Sequence, residues 1–119
     1  DKIFLVAPSS TDARIAMTTA ACRGFVYATA VMGVTGARAT TSDLAEPLVR
    51  RTKATTDLPV GVGLGVSTGA QAHEIAAFAD GVIVGSAFVR VLQQHLDDPV
   101  AGLKALGALT EELAAGVRR

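Results

Sequence analysis

Residues 81–89 read GVIVGSAFV, and this stretch indicates the fold of the chain. An apolar run of β-branched residues, Val82-Ile83-Val84, is followed only by Gly85 and Ser86 before a second apolar segment begins. The run is typical of a buried strand, and the abrupt change predicts that a helix starts directly at the strand end. The first amide N–H groups of that helix would point beyond the strand without partners, which favours binding of an anion.

The same strand-then-helix pattern occurs four times along the chain. Strands are predicted at residues 3–7, 25–28, 59–66 and 82–84. Helices are predicted from about 12 to 22, 47 to 55, 69 to 78, 86 to 95 and 99 to 117. Pro47 is placed at a first helical position, where its missing N–H costs nothing, and Thr68 with Gln71 forms a capping box. The segment 32–42 is then a long connection, typical of a lid or binding loop.

The predicted strands are continuously apolar, which indicates a parallel sheet covered by helices. Right-handed crossovers leave two solutions, an open doubly wound sheet or part of a β/α barrel. Gly61, Gly63 and Gly65 share one side of the third strand, and small residues on an inward face favour the barrel. We therefore expect an α/β fold in which residues 1–119 form one domain, a (β/α)4 half of a TIM barrel with four parallel strands, within a longer (β/α)8 chain.

Composition excludes several classes of function. The chain has 11 Lys plus Arg and 11 Asp plus Glu, so no excess of positive charge attracts nucleic acid or a membrane surface. No apolar run approaches the roughly 18 residues that span a bilayer, and a cytoplasmic protein is expected. The single cysteine, Cys22, is expected to be a small buried hydrophobe, and no Cys/His spacing predicts a metal site. His73 and His95 are expected at helix surfaces or ends, and Arg38, Arg50 and Arg51 in solvent.

Small and polar residues follow each predicted strand, at the edge where β/α proteins build their sites. Gly65 follows the third strand, and Gly85 with Ser86 precedes the helix after the fourth. β/α barrels commonly bind phosphate between the loops after their last two strands and an extra helix N-terminus. The sequence therefore predicts a phosphate site here that needs no lysine or arginine, because amide groups and the helix dipole hold the dianion.

Three segments together resemble the α subunit of tryptophan synthase: RGFVYATAVMGVTGAR at 23–38, PVGVGLGVST at 59–68 and GVIVGSAFV at 81–89. The similarity starts at IFLVAP and covers nearly the whole chain, with its weakest part in the last 25 residues. It implies a TIM barrel that cleaves indole-3-glycerol phosphate to indole and glyceraldehyde 3-phosphate and passes indole to a pyridoxal-phosphate β subunit.

The resemblance also implies what this chain lacks. It matches barrel strands five to eight, whereas the family's two catalytic carboxylates lie on and after the second strand. The cleavage requires a positioned acid/base pair, and the acids here, such as Asp12, Asp43, Glu46 and Glu74, fall in predicted helices or loops. We therefore expect no catalytic residue, no cofactor and no metal in this chain, and no activity of the chain alone.

Nine positions match the family's substrate site. The resemblance implies phosphate contacts from Gly36, Gly63, Gly65, Gly85 and Ser86. It implies a substrate cleft lined by Leu5, Tyr27, Thr35 and Leu64, with Thr35 orienting a catalytic carboxylate. Tyr27 is equally compatible with a core tyrosine, and the glycines with close packing of helix and strand. Ala30-Val31 departs from the serine and basic residue that many relatives carry before GVTG.

Two other interpretations remain open from the sequence. One is another phosphate-sugar barrel of the phosphoribosylanthranilate isomerase type, which shares the GSA-type site but is not expected to carry MGVTGAR. The other is a non-catalytic chain that only assembles or binds a partner. A half barrel also leaves the edges of its first and last strands open, so self-association of the isolated chain is expected.

Overall fold

The structure is a computed structural model that describes residues 1–29, 41–63 and 65–118. Its strands are β1 Leu5–Val6, β2 Val26–Thr29, β3 Val60–Gly63 and β4 Gly81–Ile83. Its helices are α1 Asp12–Ala21, α2 Thr41–Lys53, α3 Gly69–Ala76, α4 Ser86–Gln93 and α5 Pro99–Arg118. No helix in the described ranges combines the length and the hydrophobicity needed to cross a bilayer.

The strands form one parallel sheet in the order β1-β2-β3-β4. Val6 of β1 shares one buried core with Ile15 of α1, Leu48 of α2 and Ile75 of α3. The same core includes the buried strand residues Val26, Ala28, Val60 and Val62. On the opposite face, Leu5 is 60% exposed. A doubly wound sheet would reverse its strand order and carry helices on both faces. The consecutive order with a single helical layer therefore confirms the β/α-barrel prediction.

The second helix begins earlier than predicted. The interpretation of Pro47 as its first residue is wrong, because α2 starts at Thr41 and contains Pro47. Proline inside a helix removes one hydrogen bond, at a cost of about 3 kcal/mol, but Pro47 is exposed, so its ring does not disturb the buried face of the helix. The buried stripe Ala45, Leu48, Val49 and Thr52 starts before the proline and keeps the helix on the core.

The strands are shorter than predicted at several ends. β1 covers two residues rather than five, since it lies at the sheet edge and pairs only with β2. β3 ends at Gly63, and Gly65 has a φ of +59°, which turns the chain out of the strand before the predicted end at Val66. Cys22 is buried as predicted, and its Sγ accepts a hydrogen bond from the Phe4 amide at 3.4 Å.

Asp80 joins three elements at the amino ends of the strands. Its carboxylate lies 2.6 Å from Lys53 Nζ, at the end of α2, and accepts a hydrogen bond from the Val60 amide at 2.9 Å. The Asp80 amide donates to the Val60 carbonyl at 2.9 Å. The hydrogen bonds from Lys53 and Val60 hold the pKa of Asp80 below its ordinary value of 3.8.

Asp80→Asn is expected to lower the free energy of unfolding at pH 7 by under about 1 kcal/mol, because the ion pair is partly exposed. Since the folded pKa of Asp80 is depressed, its contribution is present above pH 3.8 and is lost as the pH falls through the folded pKa. Urea unfolding from pH 7 downward should show the full difference between parent and variant at pH 7, and this difference should shrink once the pH falls below 3.8. Glu46→Gln, at the exposed pair with Arg50, is the control and should change little.

Tyr27 and Gly63 are in close contact on the face of the sheet opposite the helices. The Tyr27 ring crosses from β2 over β3, and a Cβ added at Gly63 would lie 2.6 Å from Tyr27 Cζ and 2.8 Å from Cε1. No carbon atom fits at that separation, so glycine is required while the tyrosine keeps this position. Gly81 of β4 lies on the same face, and a Cβ there meets nothing within 4 Å.

Gly63→Ala is expected to destabilise the chain by about 1 to 3 kcal/mol, because either the tyrosine ring or the strand must move. In the double variant with Tyr27→Ala, the ring is gone, and the loss should be smaller than the sum of the single losses by at least about 1 kcal/mol. Thermal or urea unfolding of all four proteins measures this coupling. Gly81→Ala is the matched control, and a loss as large as that of Gly63→Ala would contradict the steric explanation.

Candidate functional site

The candidate site lies at the carboxyl ends of β3 and β4. Gly63 pairs with Ile83 in the register of these strands, so Gly65 and Gly85 each lie two residues beyond a paired position. Neighbouring strands are about 4.8 Å apart, which places both glycines at the same edge of the sheet. Both are exposed, and a Cβ at either would meet nothing within 4 Å. The backbone is therefore accessible at this edge.

Within the part of the chain that the structure describes, the first amides of α4 have no hydrogen-bond acceptor. Gly85 is its N-cap residue, and no side chain caps the helix. The Phe88 and Val89 amides both donate to the Gly85 carbonyl, at 3.0 and 3.2 Å, whereas the amides of Ser86 and Ala87 precede the first bonded turn. Ser86 is exposed and also carries a hydroxyl. The site can thus offer amide donors, a hydroxyl and the positive end of a helix dipole to an anion.

The neighbouring helix α3 is different, because its first amides bond to side chains. The Ser67 and Thr68 amides donate to Gln71 Oε1 at 2.8 and 3.3 Å, and the Gln71 amide donates to Thr68 Oγ1 at 3.2 Å. The Gly69 amide donates to Glu112 Oε2 at 2.7 Å. The capping box predicted from Thr68 and Gln71 is confirmed. Of these two helix starts, that of α4 is the one left open to a ligand.

Three of the predicted cleft and phosphate residues lie together on the face opposite the helices. Leu5 pairs with Tyr27 in register, and the Tyr27 ring lies against Gly63. The exposed Leu5 and the half-buried Tyr27 form an apolar surface that leads toward the carboxyl ends of the strands. Thr35, Gly36 and Leu64 are outside the described residues.

No acid/base pair or metal cluster occurs at this edge among the residues that the structure describes. Asp12 and Glu46 form ion pairs with Arg51 and Arg50, and Glu74 is exposed on α3. The described ranges contain no group of three or more His, Cys, Asp or Glu residues that could hold a metal ion. His73 is exposed, while His95 is half-buried with its Nδ1 at 2.8 Å from the Val91 carbonyl oxygen.

Arg51 has a structural role that the sequence did not reveal: it joins α2 to the segment between β1 and α1. Its expected position in solvent is wrong, because its guanidinium bonds to Asp12 and to two carbonyl groups between β1 and α1. Its place beside the buried Thr52, at the edge of the buried stripe of α2, was the available signal, but no sequence pattern shows which loop lies within reach. Arg50 is exposed as expected and pairs with Glu46 on its own helix. Arg38 lies outside the described residues.

Comparison with known proteins gives one consistent family. The model of the tryptophan synthase alpha chain family matches residues 1–118. A tryptophan synthase alpha chain of Streptomyces avermitilis is 64% identical over 116 residues, covering 98% of this chain and 42% of the relative. One of Mycobacterium intracellulare is 61% identical over 119 residues, covering 100% of this chain and 42% of the relative.

Solved structures agree with the sequence relatives. A structure of Mycobacterium tuberculosis tryptophan synthase is 60% identical with a TM-score of 0.83, covering 100% of this chain and 42% of that chain. A mutant tryptophan synthase alpha subunit from Pyrococcus furiosus is 32% identical with a TM-score of 0.74, and the match covers 95% of this chain and 44% of that chain.

The chain thus spans about two-fifths of the length of the relatives that it matches, and the matched segment is their C-terminal part. The resemblance read from 23–38, 59–68 and 81–89 is confirmed by these matches, and the consecutive parallel strands agree with the barrels of the relatives. On the evidence of its sequence and its fold, this chain belongs to the tryptophan synthase alpha chain family.

Proposed function

We propose that this chain is the part of a tryptophan synthase α subunit that binds the substrate phosphate. The reaction of the whole protein is then the cleavage of indole-3-glycerol phosphate to indole and glyceraldehyde 3-phosphate. The observation that carries the proposal is the uncapped N-terminus of α4 beside the exposed Gly65, at the carboxyl ends of two adjacent strands. This edge of the sheet is where β/α barrels bind phosphate.

Phosphate recognition in the proposal depends on the backbone. The Ser86 and Ala87 amides and the Ser86 hydroxyl donate to the phosphate oxygens, and the dipole of α4 stabilises the dianion. Gly65 supplies the other side of the site, since its positive φ turns the backbone out of β3. Gly63 has no side chain and so leaves room for the ligand above β3, and Gly36, which lies outside the described residues, is proposed to contribute a further amide. No cationic side chain is needed for this binding mode.

The rest of the substrate occupies the face of the sheet opposite the helices. Leu5 and Tyr27 form one apolar wall for the indole ring, and Leu64 is proposed as the other. Aromatic and aliphatic surface of this kind suits a flat, largely apolar ring. Thr35, which lies outside the described residues, is proposed to orient a catalytic carboxylate. The two halves of the substrate are thus recognised by different elements of the sheet.

Proton transfer requires groups that we place outside this chain. Indole C3 must gain a proton and a glycerol hydroxyl must lose one, so a positioned acid/base pair is needed. Asp12, Glu46 and Asp80 pair with arginine or lysine, Glu112 accepts a hydrogen bond from the Gly69 amide, and Glu74 is exposed on α3. We propose that the catalytic carboxylates belong to the remaining part of the barrel and that this chain alone is inactive, with no cofactor of its own. A β subunit as partner, a cytoplasmic location and a single half-barrel domain complete the proposal.

The open edges of the sheet predict how the isolated chain behaves. Within the described residues, β1 and β4 each pair with one strand only, and Leu5 is exposed on the uncovered face. Parallel strands with unpaired N–H and C=O groups pair readily with another chain. We propose that two copies associate, with β4 of each beside β1 of the other, so that eight strands surround a common interior.

Titration with glycerol phosphate tests the phosphate site. Tyr27 is the only tyrosine and the chain has no tryptophan, so its emission should change on binding. Gly85→Asp should weaken binding by at least about tenfold, because a carboxylate at the N-cap occupies the α4 amides and repels the dianion. Calorimetry with the same ligand provides an independent measure.

Two control variants separate charge from shape. Gly85→Ala should bind nearly as well as the parent, since a Cβ there meets nothing within 4 Å. Gly85→Asn caps without charge and should give an intermediate affinity. The aspartate variant should be at least as stable as the parent, because Asp is a good N-cap residue. Absence of phosphate binding by the parent in both measurements would reject the site.

Mixing this chain with the N-terminal part of the Streptomyces avermitilis relative tests whether the catalytic carboxylates lie outside this chain. Each part alone should be inactive, and the mixture should release indole from indole-3-glycerol phosphate. Sedimentation at tens of micromolar should show self-association of the 119-residue chain alone, replaced by a one-to-one complex in the mixture. A stable monomer at that concentration would contradict the open-edge argument, and activity of the chain alone would contradict the placement of the carboxylates.

A further inference from the structure

Arg51 connects helix α2 to the turn that ends β1. Its Nε donates to Asp12 Oδ1 at 2.8 Å, its Nη1 donates to the Pro8 carbonyl at 3.4 Å, and its Nη2 donates to the Ser10 carbonyl. All three guanidinium nitrogens therefore bond to one short segment. A planar guanidinium satisfies several acceptors in a fixed arrangement, which the single ammonium of lysine does not do.

The segment that Arg51 holds is a closed turn. The Ser10 amide donates to the Ala7 carbonyl at 2.8 Å, and the Ala7 amide donates to Ser10 Oγ at 3.0 Å. Ala7 directly follows β1, so the position of Ser10 determines where the carboxyl end of this strand lies. β1 itself is only two residues long and pairs with β2 alone. Val6 anchors the strand through its side chain in the core, and these hydrogen bonds fix the main chain that follows it.

The other end of the connection is rigid. Leu48, Val49 and Thr52 of α2 are each at most 1% exposed, and Thr52 Oγ1 donates to the Leu48 carbonyl at 2.8 Å. Arg51 adjoins these residues along the helix and is only partly exposed. Because α2 is fixed in the core, the hydrogen bonds from Arg51 to the turn restrict the movement of the carboxyl end of β1.

We propose that Arg51 is a positioning residue that sets the apolar wall of the substrate cleft by holding Leu5 beside Tyr27. The proposal rests on the function proposed above and goes further, since it divides recognition of the substrate into two separable parts. Gly65 follows β3, and Gly85 and Ser86 form the start of α4 after β4, so their positions do not depend on the turn after β1. Loss of Arg51 therefore affects recognition of the indole ring and leaves recognition of the phosphate intact.

Amide hydrogen exchange tests the effect on β1 without any ligand. The Tyr27 amide donates to the Phe4 carbonyl at 3.1 Å across the β1–β2 pair. In the 119-residue chain, Arg51→Lys keeps the charge but loses the planar donor set, and Tyr27 exchange should become about tenfold faster. Arg50→Lys is the matched control and should leave Tyr27 exchange unchanged, because Arg50 is the adjacent arginine and its ion pair is with Glu46 on its own helix.

Binding measurements test the effect on recognition. The chain is combined with the N-terminal part of the Streptomyces avermitilis relative and titrated with glycerol phosphate and with indole-3-propanol phosphate, which lacks the hydroxyl groups needed for cleavage. Arg51→Lys should weaken binding of the indolyl ligand by about fivefold or more and change binding of glycerol phosphate by less than about twofold. Asp12→Asn keeps the hydrogen bonds from Arg51 to the Pro8 and Ser10 carbonyls, so it should weaken binding of the indolyl ligand by a smaller factor. This variant provides the test if Arg51→Lys folds poorly.

The outcomes are distinguishable. Unchanged Tyr27 exchange in Arg51→Lys overturns the inference, whatever the ligands do. An equal loss of both ligands, or no loss of the indolyl ligand, also overturns it. If the parent binds no glycerol phosphate, the proposed function fails, and the exchange data then decide separately whether Arg51 holds β1 in place.

Discussion

All strands of this sheet are parallel, so all of their carboxyl ends lie at one edge. That single constraint brings together residues far apart in the sequence: the turn after β1, the positive-φ Gly65 after β3 and the start of α4 after β4. It also means that stabilising contacts at the amino ends of the strands lie at the opposite edge of the sheet from the candidate site. The ion pair and hydrogen bonds of Asp80 lie at the amino ends, where they hold α2, β3 and β4 together without approaching the accessible backbone at the other edge.

The two faces of the sheet differ in packing. On the helix side, valines and alanines are buried against α1, α2 and α3 in one continuous core. On the other side, the Tyr27 ring lies over Gly63 and the Ile83 side chain lies beside Gly61, whereas Gly81 leaves open space. Where no side chain covers the glycine, this face forms a recess rather than a packed layer. In the proposed function, the indole part of the substrate occupies this recess, and its shape depends on the Tyr27 ring and on the position of Leu5.

Hydrogen bonding at helix ends selects the proposed binding point. α3 and α4 both begin at the carboxyl edge, and by the dipole argument both would attract an anion. The first turn of α3 is bonded to Gln71, Thr68 and Glu112, however, so those donors are already used. α4 begins with a glycine that has no side chain to cap it, and its first amides stay available. A neutral chain can thus bind an anion without a basic patch, because the donors are part of the backbone.

Much of this fold and part of its site were predictable from the sequence, because they depend on local patterns. The apolar runs, the glycine-terminated strands and the capping box at Thr68 predicted four βα units, and the GVTG, GLG and GSA segments predicted the family. Pro47 was misread because the buried face of α2, which outweighs the cost of a proline, depends on the sheet beneath it. By itself, the sequence determined the order of elements, the family and the backbone character of the candidate site. Only the tertiary structure decided which helix start stays uncapped, that Tyr27 lies against Gly63 and that Arg51 holds the turn after β1. These contacts join residues 36 to 43 positions apart, and the distance between such residues depends on how the helices pack on the sheet.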